Sequence, residues 1–533
     1  MQKIRFLAAA SAVALFGCGG GDGASSPPPT SGPAPTPPST PTLAVTLSET
    51  SANVTVEEGG SATFGFDASY TGSSSSPIVA DVQVGGRRYV LDGAPTQSGS
   101  SFRVDLKTVP FPAGGQSSTE VNFRLCTTAA CSTVYPGSQK AFTVNLDVQL
   151  GGWTTLQRNA AHDGYVKVRY DVADFEDAWS VTTINPTSVS ADRGVVFFNS
   201  PAADFRSAST YALNSSDGSE KWRYSLGSVN SRSGPATYLD KVVSMAMASS
   251  SSMVPLQFIN AVTGAAAGTA SYASQFSNGG VPTPFGSQVY FQAGYYGNVV
   301  YAADINSPQT TWSTDTTRPD EGYVQEGASV AVDEGTVYFF GGGNLFMLDR
   351  NNGGITSSIR NPYFSSFGLS YFGTYAGGPM LGGDEQVFTF SDNRDLNTPL
   401  PILAFRPATG QLDWRTSRTY VGHPALKETT LFAIREDGYG IDLINTSNGA
   451  VQKSIDIPVS DGRLSYNLIV TENYLFASTE NKTIVFDLEG DTITQVWSAP
   501  VGGNLAITPD NKLIVSQDIT FSTDDRVVAF KLF

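Results

Sequence analysis

A twelve-residue pattern that recurs along the chain constrains the fold more than any other feature. "YALNSSDGSEKW" at 211–222 returns at 403–414 as "LAFRPATGQLDW". Apolar or aromatic residues lead, Gly falls at the eighth place and Trp closes the twelfth. Looser copies start at 258 ("FINAVTGAAAG"), 301 ("YAADINSPQTTW"), 346 ("FMLDRNNGGITS"), 441 ("IDLINTSNGAVQK") and 484 ("IVFDLEGDTITQVW"), and a truncated one, "VVAFKLF", closes the chain. Taking Ala212, Ile259, Ala302, Met347, Ala404, Asp442, Val485 and Ala529 as markers, the mean step is about 45 residues. A repeat of that length is the signature of a four-stranded propeller blade. The apolar triplet reads as a buried central strand. The Asn, Asp, Thr and Gly residues read as a turn in which Gly takes positive φ, and the Trp as a wedge against the neighbouring blade.

The eighth copy lacks a last strand. "FEDAWSVTT" at 175–183 carries a Trp at the other end of the region and supplies one, which would place Trp179 and Phe530 in one blade and leave no open edge. The pattern therefore predicts an all-β chain whose residues 151–533 form an eight-bladed β-propeller. One step is longer than the rest: 57 residues separate Met347 from Ala404. The excess contains "NPYFSSFGLSYFGTYAGG", with Tyr363, Phe364, Phe367, Tyr371, Phe372 and Tyr375 set among small residues. Rigid aromatics spaced by Gly and Ser suit protein and sugar interfaces, so these six form a candidate binding surface; the competing reading packs them between two blades.

The first 42 residues belong to neither strand pattern. Lys3 and Arg5 precede an apolar run, Phe6 to Phe16, of signal-peptide length and too short to anchor in a bilayer. The run ends in "LFGC", which resembles the lipobox of bacterial lipoproteins; that resemblance implies a signal peptide at 1–17 and lipidation of Cys18. Removal of the two basic residues leaves 30 basic against 48 acidic side chains, so net charge moves from −16 to −18. Gly19 follows the cysteine rather than Asp, which by the lipoprotein rule implies the outer membrane. Residues 18–42 are rich in Pro, Gly and Ser and read as an extended tether.

From 43 to 150 the pattern alternates. "FRVDLKTV" sets Phe102, Val104 and Leu106 on one face, and "FTVNLDV" does the same with Phe142, Val144, Leu146 and Val148. About seven short strands in this span predict an immunoglobulin-like sandwich. Cys126 and Cys131 flank a tight turn, and in an oxidising envelope they are expected to form a structural disulfide rather than a metal site.

The repeats resemble the PQQ-like repeat family, and "WTTLQRNAAHDGY" at 153–165 is similar to the segment that precedes the first blade in that family. The resemblance implies a propeller, and the family includes both quinoprotein enzymes and cofactor-free scaffolds. Quinoprotein dehydrogenases stack their cofactor between a Trp and a disulfide of adjacent cysteines; 151–533 contains no cysteine and no c-type haem motif. No metalloprotease, nucleophile-elbow, Walker or calcium-loop motif occurs, and most of the acidic residues, which could in principle pair for glycoside hydrolysis, sit in turn contexts. The chain holds two histidines. His162 reads as part of a segment capping the propeller and His423 as facing a blade loop. Strong acidity without a basic block excludes nucleic acid as a partner.

The expectation is a non-enzymatic envelope lipoprotein with no cofactor or metal, presenting a rigid surface to envelope proteins or surface glycans. Its nearest functional analogue is the propeller lipoprotein of the outer-membrane β-barrel assembly machinery. The alternatives are a periplasmic quinoprotein, a hydrolase, or an adhesion or polysaccharide-binding protein.

Overall fold

The computed structural model describes residues 41–533 apart from 230, 248–252, 274–279, 294–297, 318–328, 365–377, 392–397 and 519–523. The regular structure among its described residues is almost wholly β-strand, with three single-turn 3-10 helices. Two sheets come first. One has the order Ala44–Leu47, Thr63–Thr71, Ser101–Thr108, Tyr89–Leu91, with Thr96–Ser98 also on Ser101–Thr108. The other runs Ser51–Glu57, Lys140–Gln149, Gly115–Cys126, Val79–Val84, its first pair parallel. Nine strands are present rather than about seven, because Tyr89–Leu91 and Thr96–Ser98 are three-residue edge pieces that carry no alternation to read. The alternating positions Phe102, Val104, Leu106, Phe142, Val144, Leu146 and Val148 are all buried in a common core with Phe66 and Phe123. Cys126 and Cys131 are disulfide-bonded, their Cα atoms 5.0 Å apart.

Among the described residues eight sheets follow, seven of four strands and one of five. The sheet of Ser190–Asp192, Val195–Pro201, Ser207–Asn214 and Glu220–Ser228 is typical: consecutive antiparallel strands, the third being the apolar triplet of the repeat. The last sheet is composite. Glu176–Thr183 pairs antiparallel with Asp525–Lys531, setting Asp177 opposite Phe530 and Trp179 opposite Ala529. Both ends of the region thus share one sheet. First strands of successive sheets lie side by side: Ser190–Asp192 by Ala236–Tyr238, that by Thr283–Phe285, that by Ala331–Val332. Asn504–Ile507 returns to Ser190–Asp192.

The reason for the repeat is a contact between neighbours. The indole N–H of Trp179 donates to Ser215 O (2.8 Å), that of Trp222 to Ala261 O (3.0 Å), that of Trp312 to Arg350 O (3.1 Å) and that of Trp414 to Thr446 O (2.7 Å). Each acceptor lies in the turn of the next sheet. The Gly of that turn lies under the same ring: a Cβ on Gly218, Gly264, Gly353 or Gly449 would come within 2.5–2.7 Å of Trp179, Trp222, Trp312 or Trp414. All four glycines have φ between +70° and +74°. The turn needs a left-handed residue and the indole needs a bare backbone, so two demands fall on one position. The Asn or Asp four places earlier holds the turn: Asn260, Asp349 and Asn445 each accept from an amide two residues on.

Gly410 separates the two demands, because it has φ +67° but nothing within 4 Å of an added Cβ. Gly410→Ala is expected to cost about 1 kcal/mol for the left-handed backbone alone. Gly353→Ala carries that cost plus displacement of Trp312, and should cost at least about 2 kcal/mol more. Urea unfolding of the two variants measures the difference; equal losses would remove the indole contact from the account.

The two units meet through polar groups, some of them buried. Glu58 accepts from the amides of Gly151 (3.0 Å) and Lys167 (2.7 Å) and pairs with Arg158. Asn511 accepts from Gly114 N (3.0 Å) and donates to Gly114 O (2.6 Å), and Tyr170 Oη donates to Asn511 as well (3.1 Å).

Candidate functional site

Propellers present chemistry and binding at the axis where first strands converge, and here the chain itself occupies that axis. Trp153 exchanges backbone bonds with Ala191 (2.8 and 2.7 Å), and Thr154 O accepts from Thr237 N (2.8 Å). Thr155 Oγ1 donates to Pro282 O (2.6 Å). Ala160 O accepts from Val332 N and Ala161 O from Leu381 N, both at 2.9 Å. Asp163 O accepts from Leu426 N (2.7 Å) and Gly164 O from Val470 N (3.0 Å). Asn467 completes the circuit, donating to Gln157 Oε1 (2.8 Å) and Leu505 O (3.0 Å). Residues 153–164 therefore bond to seven sheets in chain order, and Asn467 links Gln157 to the eighth. Gln157, Arg158 and His162 reach this path through positive φ values of 48°, 84° and 58°. Non-glycine residues persist there only where surrounding contacts over-determine them.

The two histidines come together at this hub. His162 is 2% exposed; its Nδ1 lies 2.9 Å from Pro379 O and its Nε2 3.1 Å from Thr283 Oγ1. His423, 6% exposed, sits on Tyr420–Lys427 and lines the same cavity with Leu156, Gln157, Met380 and Phe390. The cavity holds about 20 Å³, room for about one water and for no substrate. Burial pushes His162 down to about 4, and burial together with His162 pushes His423 down to about 3, so both rings are neutral near pH 7. This corrects two expectations. His423 does not face a blade loop, and His162 does not cap the propeller but lies inside its axis. Their separation of 261 positions hid the pairing, since only closure of the sheets around the lead-in segment brings them to one cavity.

The other sequence-derived positions are scattered. Cys18 lies outside the described residues, as do Phe367, Tyr371, Phe372 and Tyr375. Of the aromatic insert, Tyr363 is 61% exposed with the Arg415 guanidinium 4.9 Å from its ring centre, and Phe364 is half-buried over Gly343. Among the described residues, one group of three metal-ligating side chains converges, Asp81 with Cys126 and Cys131, and its two sulfurs are joined to each other.

A different concavity opens where the sandwich meets the propeller. It encloses about 360 Å³ and is lined by Arg87, Arg88 and 109–113 of the sandwich and by 169–171, Asp174 and Phe533 of the propeller. Sequence reading gave no sign of it, because its walls come from segments more than 400 residues apart.

Comparison with known proteins places this architecture. The profile of the family described as outer membrane protein assembly factor BamB matches residues 162–455, more than half of the chain. The crystal structure of BamB from Moraxella catarrhalis is similar at 17% identity and a TM-score of 0.50, covering 67% of this chain and 99% of that one. Apo AztD from Citrobacter koseri gives 13% identity and a TM-score of 0.38, covering 59% and 86%; Hsv2 from Kluyvelomyces marxianus gives 9% and 0.38, covering 61% and 98%. No curated protein matches. With the recurring strand, turn and Trp, the all-β propeller and the family profile in agreement, the chain belongs to the BamB family of PQQ-like repeat propellers.

Proposed function

We propose that this chain is a non-enzymatic scaffold of the outer membrane, held by lipid on Cys18 and presenting an eight-bladed propeller and an immunoglobulin-like sandwich (43–150) to envelope proteins. The observation that carries the reading is the family match over 162–455, whose description is outer membrane protein assembly. The axis supports it: a hub filled by Trp153–Val166 and two neutral histidines leaves binding to faces and rims rather than to a central chamber. The candidate binding surface read at 363–375 begins at Tyr363, which is exposed. Residues 18–42 would let the scaffold reach partners away from its anchor.

Capture with the full chain from envelope extracts should enrich outer-membrane assembly proteins; enrichment of polysaccharide alone would favour adhesion instead. Cys18→Ser is expected to release the protein from the membrane fraction in soluble form, since one lipidated cysteine carries the anchor. Firm retention of the variant would refute lipid anchoring while leaving the scaffold reading standing.

A further inference from the structure

We infer that the groove between sandwich and propeller is a binding site for a carboxylate carried on an apolar or aromatic stem. The reason lies in Arg88. Its residue is 5% exposed and it lines the groove. Nη1 donates to Gly115 O at 2.6 Å, Nε is sealed from solvent and so beyond a ligand's reach, and Nη2, without a hydrogen-bond partner among the described residues, is the nitrogen left for an anion. The other cations of the groove are matched: Arg87 pairs with Asp174 at 2.8 Å and Arg169 pairs with Glu489. Arg88 has no ion pair among the described residues, and burial lowers its pKa to about 10. A guanidinium taken out of water without a carboxylate is costly, and proteins keep one where an anion completes it.

The walls specify the rest of the ligand. Val109, Pro110, Phe111, Pro112 and Ala113 form an apolar side, and the Phe533 ring lies 4.0 Å from the Arg88 guanidinium carbon. A charge beside apolar walls in about 360 Å³ fits an amphipathic acid rather than a bare inorganic anion. Two sources share that chemistry: the C-terminal residue of a peptide and the end of an acyl chain.

The test uses the full-length protein and isothermal titration with N-acetylphenylalanine, its amide and decanoate. The acid should bind at least tenfold more tightly than the amide, and Arg88→Gln should lose at least tenfold of that affinity. Preference for N-acetylphenylalanine over decanoate assigns the site to peptide termini, and the reverse order assigns it to acyl chains. Equal binding of acid and amide, or no binding of either acid, overturns the proposal. Should Arg88→Gln not fold, hydrogen exchange of wild-type residues 109–113 decides. Slowing by the acid and not by the amide supports the site, and identical exchange with both overturns it. If Arg88 only ties the two units together, Arg88→Gln lowers the melting temperature and leaves the acid–amide ratio unchanged, which also refutes the site.

Discussion

Replacing Glu176–Thr183 by eight Gly and Ser residues is expected to cost the propeller its single cooperative unfolding transition. Equal length keeps the path from the axis to Ser190–Asp192, so the change removes pairing and side chains rather than reach. It strips Asp525–Lys531 of its partner strand and leaves an edge of unpaired amides and carbonyls. It also removes the Trp179 indole, which packs on Gly218 and donates to Ser215 O in the next sheet. Losing a large aromatic costs about 3–5 kcal/mol, and the hydrogen bond about 1 kcal/mol more. Because this strand is where the two ends of the region meet, the loss is larger in kind than in size. The terminal sheet should melt ahead of the rest, giving a broadened or two-step calorimetric trace. A single transition at the wild-type midpoint would mean that the ends are held elsewhere, with the axial segment the first suspect.

The axial histidines should make the protein acid-sensitive above the range in which carboxylates titrate. His162 and His423 are pushed down to about 4 and about 3, below the ordinary value near 6.5. Between about pH 6.5 and pH 4 the unfolded chain therefore takes up protons that the folded one refuses. The stabilising difference is complete above pH 6.5 and shrinks as pH falls, by about 1.4 kcal/mol per pH unit for each ring. Burial moves Asp163, Asp192 and Asp518 the other way, so the wild-type profile mixes opposing slopes. Comparison with His162→Gln and His423→Gln isolates the imidazoles. The stability gap between wild type and each variant should change by about 2–3 kcal/mol from pH 7 to pH 4.5, in the variant's favour. Parallel profiles in urea unfolding would show that the rings are solvated or partnered in a way their burial denies.

How much of this was legible in the sequence depends on the range of the interaction. Strand alternation in Phe142–Val148, the Gly of each turn and the closing Trp are short-range signals, because pleat and turn geometry act over two to five residues. The repeat even pointed to the composite sheet, since a missing Trp strand at one end of the region and a spare one at the other leave a single pairing. Cys126 and Cys131, five residues apart, belong to the same local class. The Trp–Gly partnership was visible only by half. Trp222, Trp312, Trp414 and Trp497 close four of the copies and a Gly marks most of the turns, but the Trp of one unit meets the Gly of the next, and the sequence does not say across which boundary a wedge packs.

The axis and the groove lay beyond sequence reading for one physical reason. Residues 153–166 carry no strand period, and their partners at 191, 237, 282, 332, 381, 426 and 470 are single backbone groups with no side-chain signature. Backbone hydrogen bonds do not depend on residue identity, so nothing in the chain marks a hub. The neutrality of His162 and His423 and the unmatched charge of Arg88 are likewise properties of enclosure, which arises only when distant segments exclude water together. The sequence by itself determined the strand, the turn and the wedge. The tertiary structure decided what the repeats close around and which charges they strand, because desolvation belongs to the assembled fold and to no single stretch of chain.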